Sequence, residues 1–134
     1  MRRYLLDTPV LAAYLLGRSW AVSVVDPWVL ANEAATSPLV YGEVIAYIEG
    51  MRNYRTLREQ LRRQLIDVRL YTLTYPIMER YAAIRRFMRS QGGLIGDVDT
   101  LIAATAIERS LTVVNLDGHF LRVHSLAVQI IARP

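Results

Sequence analysis

Twice in this chain a short apolar run stops at a polar residue and a helix-opening proline follows at once: Tyr4-Leu5-Leu6-Asp7-Thr8-Pro9 and Ala34-Ala35-Thr36-Ser37-Pro38. A hydroxyl side chain can cap a helix and proline suits its first turn, so each run reads as a strand that gives way directly to a helix. Gly17 and Gly50 stand where those two helices should end. A third run, Leu111 to Asn115, mixes Leu, Thr and Val as a buried parallel strand does, and Asp117 follows it. Strands alternating with helices specify the α/β class, a central parallel β-sheet flanked by α-helices. With 134 residues, 53% of them hydrophobic, and no repeat or linker, residues 1–134 read as a single domain.

The remaining elements follow from periodicity and punctuation. Ala21 to Val25 fits a strand or a helix, and Asp26-Pro27 should break it, which predicts a loop or short helix before a brief strand at Ala34 to Thr36. Helical pattern then covers Arg52 to Asp67 and Pro76 to Ser90, with a strand at Arg69 to Thr74 between them. Gln91-Gly92-Gly93 ends the second basic helix. Val98 to Ile107 reads as a helix buried on most of its surface, and Ala127 to Ala132 as a final strand. No apolar stretch reaches the ~18 residues of a membrane span and the N-terminus resembles no signal peptide, so the expectation is a soluble, cytoplasmic protein with no membrane partner.

Zero cysteines exclude disulfides and thiolate zinc sites, and His119 and His124 alone are too few for a histidine-rich metal site. All 16 basic residues are Arg, and the net charge of +4 is unevenly spread. Between Arg52 and Arg89 ten Arg face only Glu59, Asp67 and Glu79, giving +7 there and −3 elsewhere. Guanidinium groups pair bidentately with phosphate, so this stretch suits nucleic acid, although a solvated helix face has the same composition.

Four carboxylates carry more information: Asp7, Glu43, Asp99 and Asp117. Glu43 has Leu39, Val40, Ala46 and Tyr47 at helical spacing, which puts it on an expected core-facing stripe, where a carboxylate needs a proton, an arginine or a metal. Asp99 falls in the first turn of the alanine-rich helix, where Asp97 can take the N-cap. Asp7 and Asp117 each follow a strand, at the sheet end where α/β folds bind ligands. Singly, each acid also suits an ordinary turn or cap. Two carboxylates about 5 Å apart repel by roughly 3 kcal/mol at an effective dielectric near 20, so four in one place require a counter-charge. All-oxygen sites suit Mg²⁺ or Mn²⁺.

Taken in order, Tyr4-Leu5-Leu6-Asp7-Thr8, Ser37 followed by Glu43, Ile95-Gly96 with Asp99-Thr100-Leu101-Ile102-Ala103-Ala104, and Val113-Val114-Asn115-Leu116-Asp117 with Phe120 resemble a PIN domain. The likeness is strongest to the small ribonuclease toxins of VapC-type toxin–antitoxin pairs. It spans almost the whole chain. The resemblance implies a Mg²⁺-dependent endoribonuclease, with Mn²⁺ as a second fitting ion, in which Asp7, Glu43 and Asp99 hold the metal and Asp117 completes the catalytic pocket, directly or through water. It further implies an RNA substrate, a small VapB-like antitoxin partner and a homodimer. Thr8 and Asn115 are secondary site candidates, and Asn115 stands where the family commonly has Thr or Ser. Asp99 is taken as the third acid because it precedes Ile102-Ala103-Ala104 by three residues, with Asp97 as the alternative. Two other readings share the fold: a PIN nuclease for RNA processing outside any toxin–antitoxin pair, and an inactive RNA-binding or scaffold domain.

Overall fold

The computed structural model describes residues 1–116, 118–123 and 125–131. Among them, five short strands form one sheet: β1 (Tyr4–Leu6), β2 (Ala34–Thr36), β3 (Arg69–Leu70), β4 (Thr112–Asn115) and β5 (Val128–Ile130). Their spatial order is β3-β2-β1-β4-β5, and every neighbouring pair is parallel. The connections carry α1 (Thr8–Leu15), α2 (Ser19–Leu30), α3 (Pro38–Ile48), α4 (Tyr54–Gln64), α5 (Tyr75–Ser90) and α6 (Asp97–Glu108). From β1 the chain steps outward to β2 and β3, then crosses back to place β4 on the other flank of β1. The winding therefore reverses between β1 and β4, and a crevice opens beyond their carboxyl ends.

The two central strands are apolar without alternation because both faces of the sheet are covered: Leu5, Leu6, Val113 and Val114 are all fully buried. On one side lies α1, which buries every residue from Val10 to Leu15. Within α6 the residues from Ile102 to Ala106 are buried, and small side chains let it sit close to its neighbours. No single helix among the described residues is long and apolar enough to cross a membrane.

Two helix starts follow their capping signals. Ser37 accepts a hydrogen bond from the Leu39 N–H at 3.1 Å, with Pro38 as the first helical residue of α3. Thr74 does the same for Ile77 at 3.4 Å, so α5 opens at Tyr75 and the expected strand from Arg69 to Thr74 is cut to Arg69–Leu70. Gly17 turns the chain from α1 into α2 with a φ of +71°, a conformation glycine adopts without strain, and the two helices bend by 100° there.

One expectation fails at Asp26-Pro27, which does not break α2. That helix runs from Ser19 through Pro27 to Leu30. Local preference is outweighed by tertiary contacts on both sides of the proline. Ala21 and Val25 are fully buried, the Tyr14 hydroxyl donates to Asp26 at 2.5 Å, and Trp28 stacks on Tyr4 with ring centroids 3.9 Å apart. The final strand occupies Val128–Ile130, and Ala132, where the sequence placed its end, lies outside the described residues.

Candidate functional site

Asp7 leaves β1 directly into the crevice between β1 and β4. Its N–H donates to the Val114 carbonyl at 3.1 Å, which carries the β1–β4 pairing one residue past the strand end. The side chain is only 3% exposed. Across the crevice the Asn115 amide Nδ2 donates to Asp7 Oδ2 at 2.5 Å. Asn115 Oδ1 meanwhile accepts from the Leu116 N–H at 2.5 Å, so its oxygen is committed to backbone and its NH₂ must face the acid. The last residue of one central strand thus orients the carboxylate that follows the other.

Thr8 was expected to cap α1. It is instead the first helical residue, with Asp7 in the N-cap position making no side-chain capping bond. The Thr8 hydroxyl is thereby released toward α3, where it donates to Glu43 Oε1 at 2.5 Å. A single residue adjacent to Asp7 in the chain so tethers the second acid.

Glu43 itself does not lie on a core-facing stripe. Two apolar rows run along α3, and the one that packs inward is Val40, Val44 and Ile48, all fully buried. Glu43 shares the exposed side of the helix with Gly42, Ala46 and Tyr47. Of the apolar residues at helical spacing around it, Val40 is buried and Leu39 half-buried, but Ala46 and Tyr47 are exposed, so the neighbourhood does not carry Glu43 inward. Among the described residues Glu43 has no arginine partner; its partner is a neutral hydroxyl, which fixes a carboxylate's direction without cancelling its charge.

The two acids of α6 part company. Gly96, and not Asp97, occupies the N-cap position, so both Asp97 and Asp99 sit in the first turn. Asp97 is exposed and is taken up by α5, pairing with Arg85 and accepting from the Tyr81 hydroxyl at 3.1 Å. Tyr81 and, after it, Asp97 push the Arg85 guanidinium above its ordinary range. Asp99, two residues on, lies about 200° around the helix from Asp97 and is half-buried. Asp117 falls outside the described residues.

Two hydrogen bonds, Asn115 to Asp7 and Thr8 to Glu43, are therefore set next to each other by the chain at Asp7-Thr8, whereas Asp97 is directed elsewhere. Among the described residues no three His, Cys, Asp or Glu side chains converge closely enough to hold a metal ion, so Asp99 does not complete such a group with Asp7 and Glu43. The donor chemistry of the assembled part is nonetheless all oxygen, two carboxylates and a hydroxyl, which suits a hard divalent cation and no softer one.

Next to Thr8 a cavity of about 480 Å³ is lined by residues of α1 together with Arg18, Trp20 and Tyr47. Sequence reading singled out neither Arg18 nor Trp20. The signal that would have found them, the 100° corner between α1 and α2, is not visible in periodicity.

The PIN domain family model matches residues 4–126. A search of curated proteins with this sequence finds no match. Among solved structures the chain is similar to FitAcB from Neisseria gonorrhoeae, with 28% identity, a TM-score of 0.80, and coverage of 93% of this chain and 95% of that one. It is similar to VapBC2 from Rickettsia felis, solved bound to a promoter DNA fragment, at 20% identity and a TM-score of 0.84 over 95% and 97% of the two chains. DNA-bound VapBC from Salmonella typhimurium superposes with a TM-score of 0.86 at 17% identity, covering 98% and 100%.

Proposed function

Because the chain belongs to the PIN domain family, we propose that it is a metal-dependent endoribonuclease, the toxin of a toxin–antitoxin pair. The observation that carries this reading is the buried Asp7 at the β1–β4 crevice, aimed by Asn115 and linked to Glu43 through Thr8. A buried carboxylate at a sheet's topological switch point serves no packing purpose that an apolar residue would not serve better.

Asp7 and Glu43 would hold Mg²⁺ or Mn²⁺, and the family resemblance adds Asp99 as the third acid and Asp117 to complete the pocket, although Asp99 does not converge with the first two in this structure. A bound divalent cation supplies the means to ionise an attacking water and to steady charge on an RNA phosphate. The protein's own share is orientation: Asn115 fixes the direction of Asp7, Thr8 that of Glu43, and the buried strand ends keep bulk water from the back of the site. The ion pair with Arg85 holds Asp97 outside this set. Similarity to VapBC and FitAcB structures supports a small VapB-like antitoxin as partner, and a homodimer in the cytoplasm completes the reading.

An inactive RNA-binding or scaffold domain on the same fold is the competing reading. Incubating the purified chain with structured RNAs such as tRNA, with Mg²⁺ or with EDTA, beside an Asp7→Asn variant, decides between them. Cleavage is expected only with Mg²⁺ and the intact acid. Equal cleavage by the variant removes the assignment of Asp7, and no cleavage of any RNA by either protein promotes the scaffold.

A further inference from the structure

Most aromatic rings in this protein are already engaged. Tyr4 and Trp28 stack on each other, Tyr54 lies under Arg58, Tyr71 under Arg69 and Arg109, and Tyr81 under Arg85. Tyr14 and Tyr41 are fixed through their hydroxyls by Asp26 and Arg62. Trp20 and Tyr47 break the pattern. Among the described residues these two and Tyr75 have no stacking or cation partner; Trp20 is part-buried against the core, Tyr47 is 56% exposed, and these two, unlike Tyr75, line the cavity beside Thr8.

The shape of that cavity ties it to the acids. Its floor is the Ala12 and Ala13 face of α1, two small side chains that leave room above the helix. One end is Thr8, whose hydroxyl also donates to Glu43. Beyond the turn from α1 into α2 the cavity is also lined by Arg18, exposed and among the described residues without an acidic partner. A volume of about 480 Å³ accommodates a ligand of nucleotide size.

Resting on the nuclease reading above, we propose that this cavity receives an unpaired base of the RNA next to the phosphate held at the acids, with Trp20 and Tyr47 as its stacking walls and Arg18 taking a neighbouring phosphate. Free aromatic faces bind any base through its π-surface, and a guanidinium lining the groove supplies the charge complement for the backbone. The acids repel phosphate until a cation is present, so an adjoining cationic and aromatic groove sets the direction in which the strand lies. Base size and stacking strength at this position would then contribute to the choice of cleavage site.

The test uses the full chain carrying Asp7→Asn in Mg²⁺, which holds RNA uncut, together with Trp28→Phe, which leaves Trp20 as the sole tryptophan of the two in the sequence. Titration with a single-stranded RNA oligonucleotide is expected to quench Trp20 emission saturably. In the Asp7→Asn background with Trp28 intact, Tyr47→Ala is expected to weaken RNA affinity on the order of tenfold. Tyr75→Ala, a tyrosine that is 89% exposed and outside the cavity, should leave affinity unchanged. RNA that binds with Trp20 silent and Tyr47→Ala neutral overturns the inference while the nuclease reading stands. A Trp20 response to the antitoxin and not to RNA also overturns it and assigns the groove to the protein partner. If the unsubstituted chain neither binds nor cuts RNA, both readings fall together.

Discussion

At the ends of β1 and β4 a carboxylate and an amide are sealed to 3% and 0% exposure and aimed at each other, whereas along α4 and α5 the arginines stand on the surface and lean on whatever is near. Arg58 lies over the Tyr54 ring, Arg62 donates to the Tyr41 hydroxyl at 3.2 Å, and Arg80 pairs with Glu108 at 3.3 Å. Exposed contacts of this kind are each worth about 0–1 kcal/mol and weaken with salt. A buried polar pair differs in kind, because losing one member strands the other at a cost of about 1–3 kcal/mol. Density of charge along a sequence is thus a poor guide to where charge has been placed for a purpose. Four polar residues drawn from three separate stretches say more than ten arginines in one.

The comparison is tested most severely by removing a positioning group and a surface arginine in parallel. Thr8→Val keeps the shape of the side chain and deletes the donor that aims Glu43. RNA cleavage is expected to fall roughly 10–100-fold, as when an orienting partner of a metal ligand is lost. Arg62→Ala, measured at the same salt, should stay near the unsubstituted rate. Equal losses in the two would mean that the arginine surface matters as much as the crevice.

Stability should divide the same two regions. Asn115→Ala removes the amide that donates to a buried carboxylate and is expected to cost about 1–3 kcal/mol in a denaturant titration. Arg62→Ala should leave the midpoint close to the parent's. An Asn115→Ala midpoint indistinguishable from the parent would show that the Asp7–Asn115 bond is incidental to the fold.

A part-buried polar contact gives a pH signature. Burial, followed by the hydrogen bond and charge of Asp26, pushes the Tyr14 hydroxyl up to about 12 from 10.0. Between those values the unfolded chain has released this proton and the folded chain still holds it. Stability from this group is therefore intact below pH 10 and is lost as pH rises toward 12. Melting temperature followed through that window should fall more steeply for the parent than for Tyr14→Phe. Parallel slopes would remove the coupling.

Sequence made the strands and most helix boundaries legible because their signals are local. Ser37 and Pro38 cap and open α3 where their chemistry says they should, and the buried run at the end of β4 is apolar on both faces. What sequence misplaced depended on tertiary packing. The rotation of α3 is decided by which of two apolar rows meets the core, so Glu43 moved from an expected inward face to an exposed one. Pro27 stays helical because Val25 and Trp28 are held from outside the helix. Thr8 was read as a cap because the nearest backbone is always the default partner, and only the fold brings Glu43 within its reach. The link between Asp7 and Asn115, 108 residues apart, could be inferred as proximity at strand ends but not as a bond.

The smallest expected effect is also the one that discriminates between the two acids of α6. Asp97 is 65% exposed at its side chain and Arg85 29%, so Asp97→Asn should cost less than about 1 kcal/mol, a difference that shrinks at high salt. RNA cleavage should be nearly unchanged, because the residue is turned toward α5 and its charge is already met by Arg85. On the nuclease reading, in which Asp99 is the third acid, Asp99→Asn should instead cut cleavage on the order of 10²–10³-fold, the scale expected when one electrostatic group is lost from a site. The helix itself enforces the contrast: two residues apart means roughly opposite directions, so both acids cannot serve one ion from the first turn. Cleavage lost in Asp97→Asn and kept in Asp99→Asn would show that Asp97 abandons Arg85 when RNA and metal are present, and the arginine pair would then be a resting contact that substrate displaces.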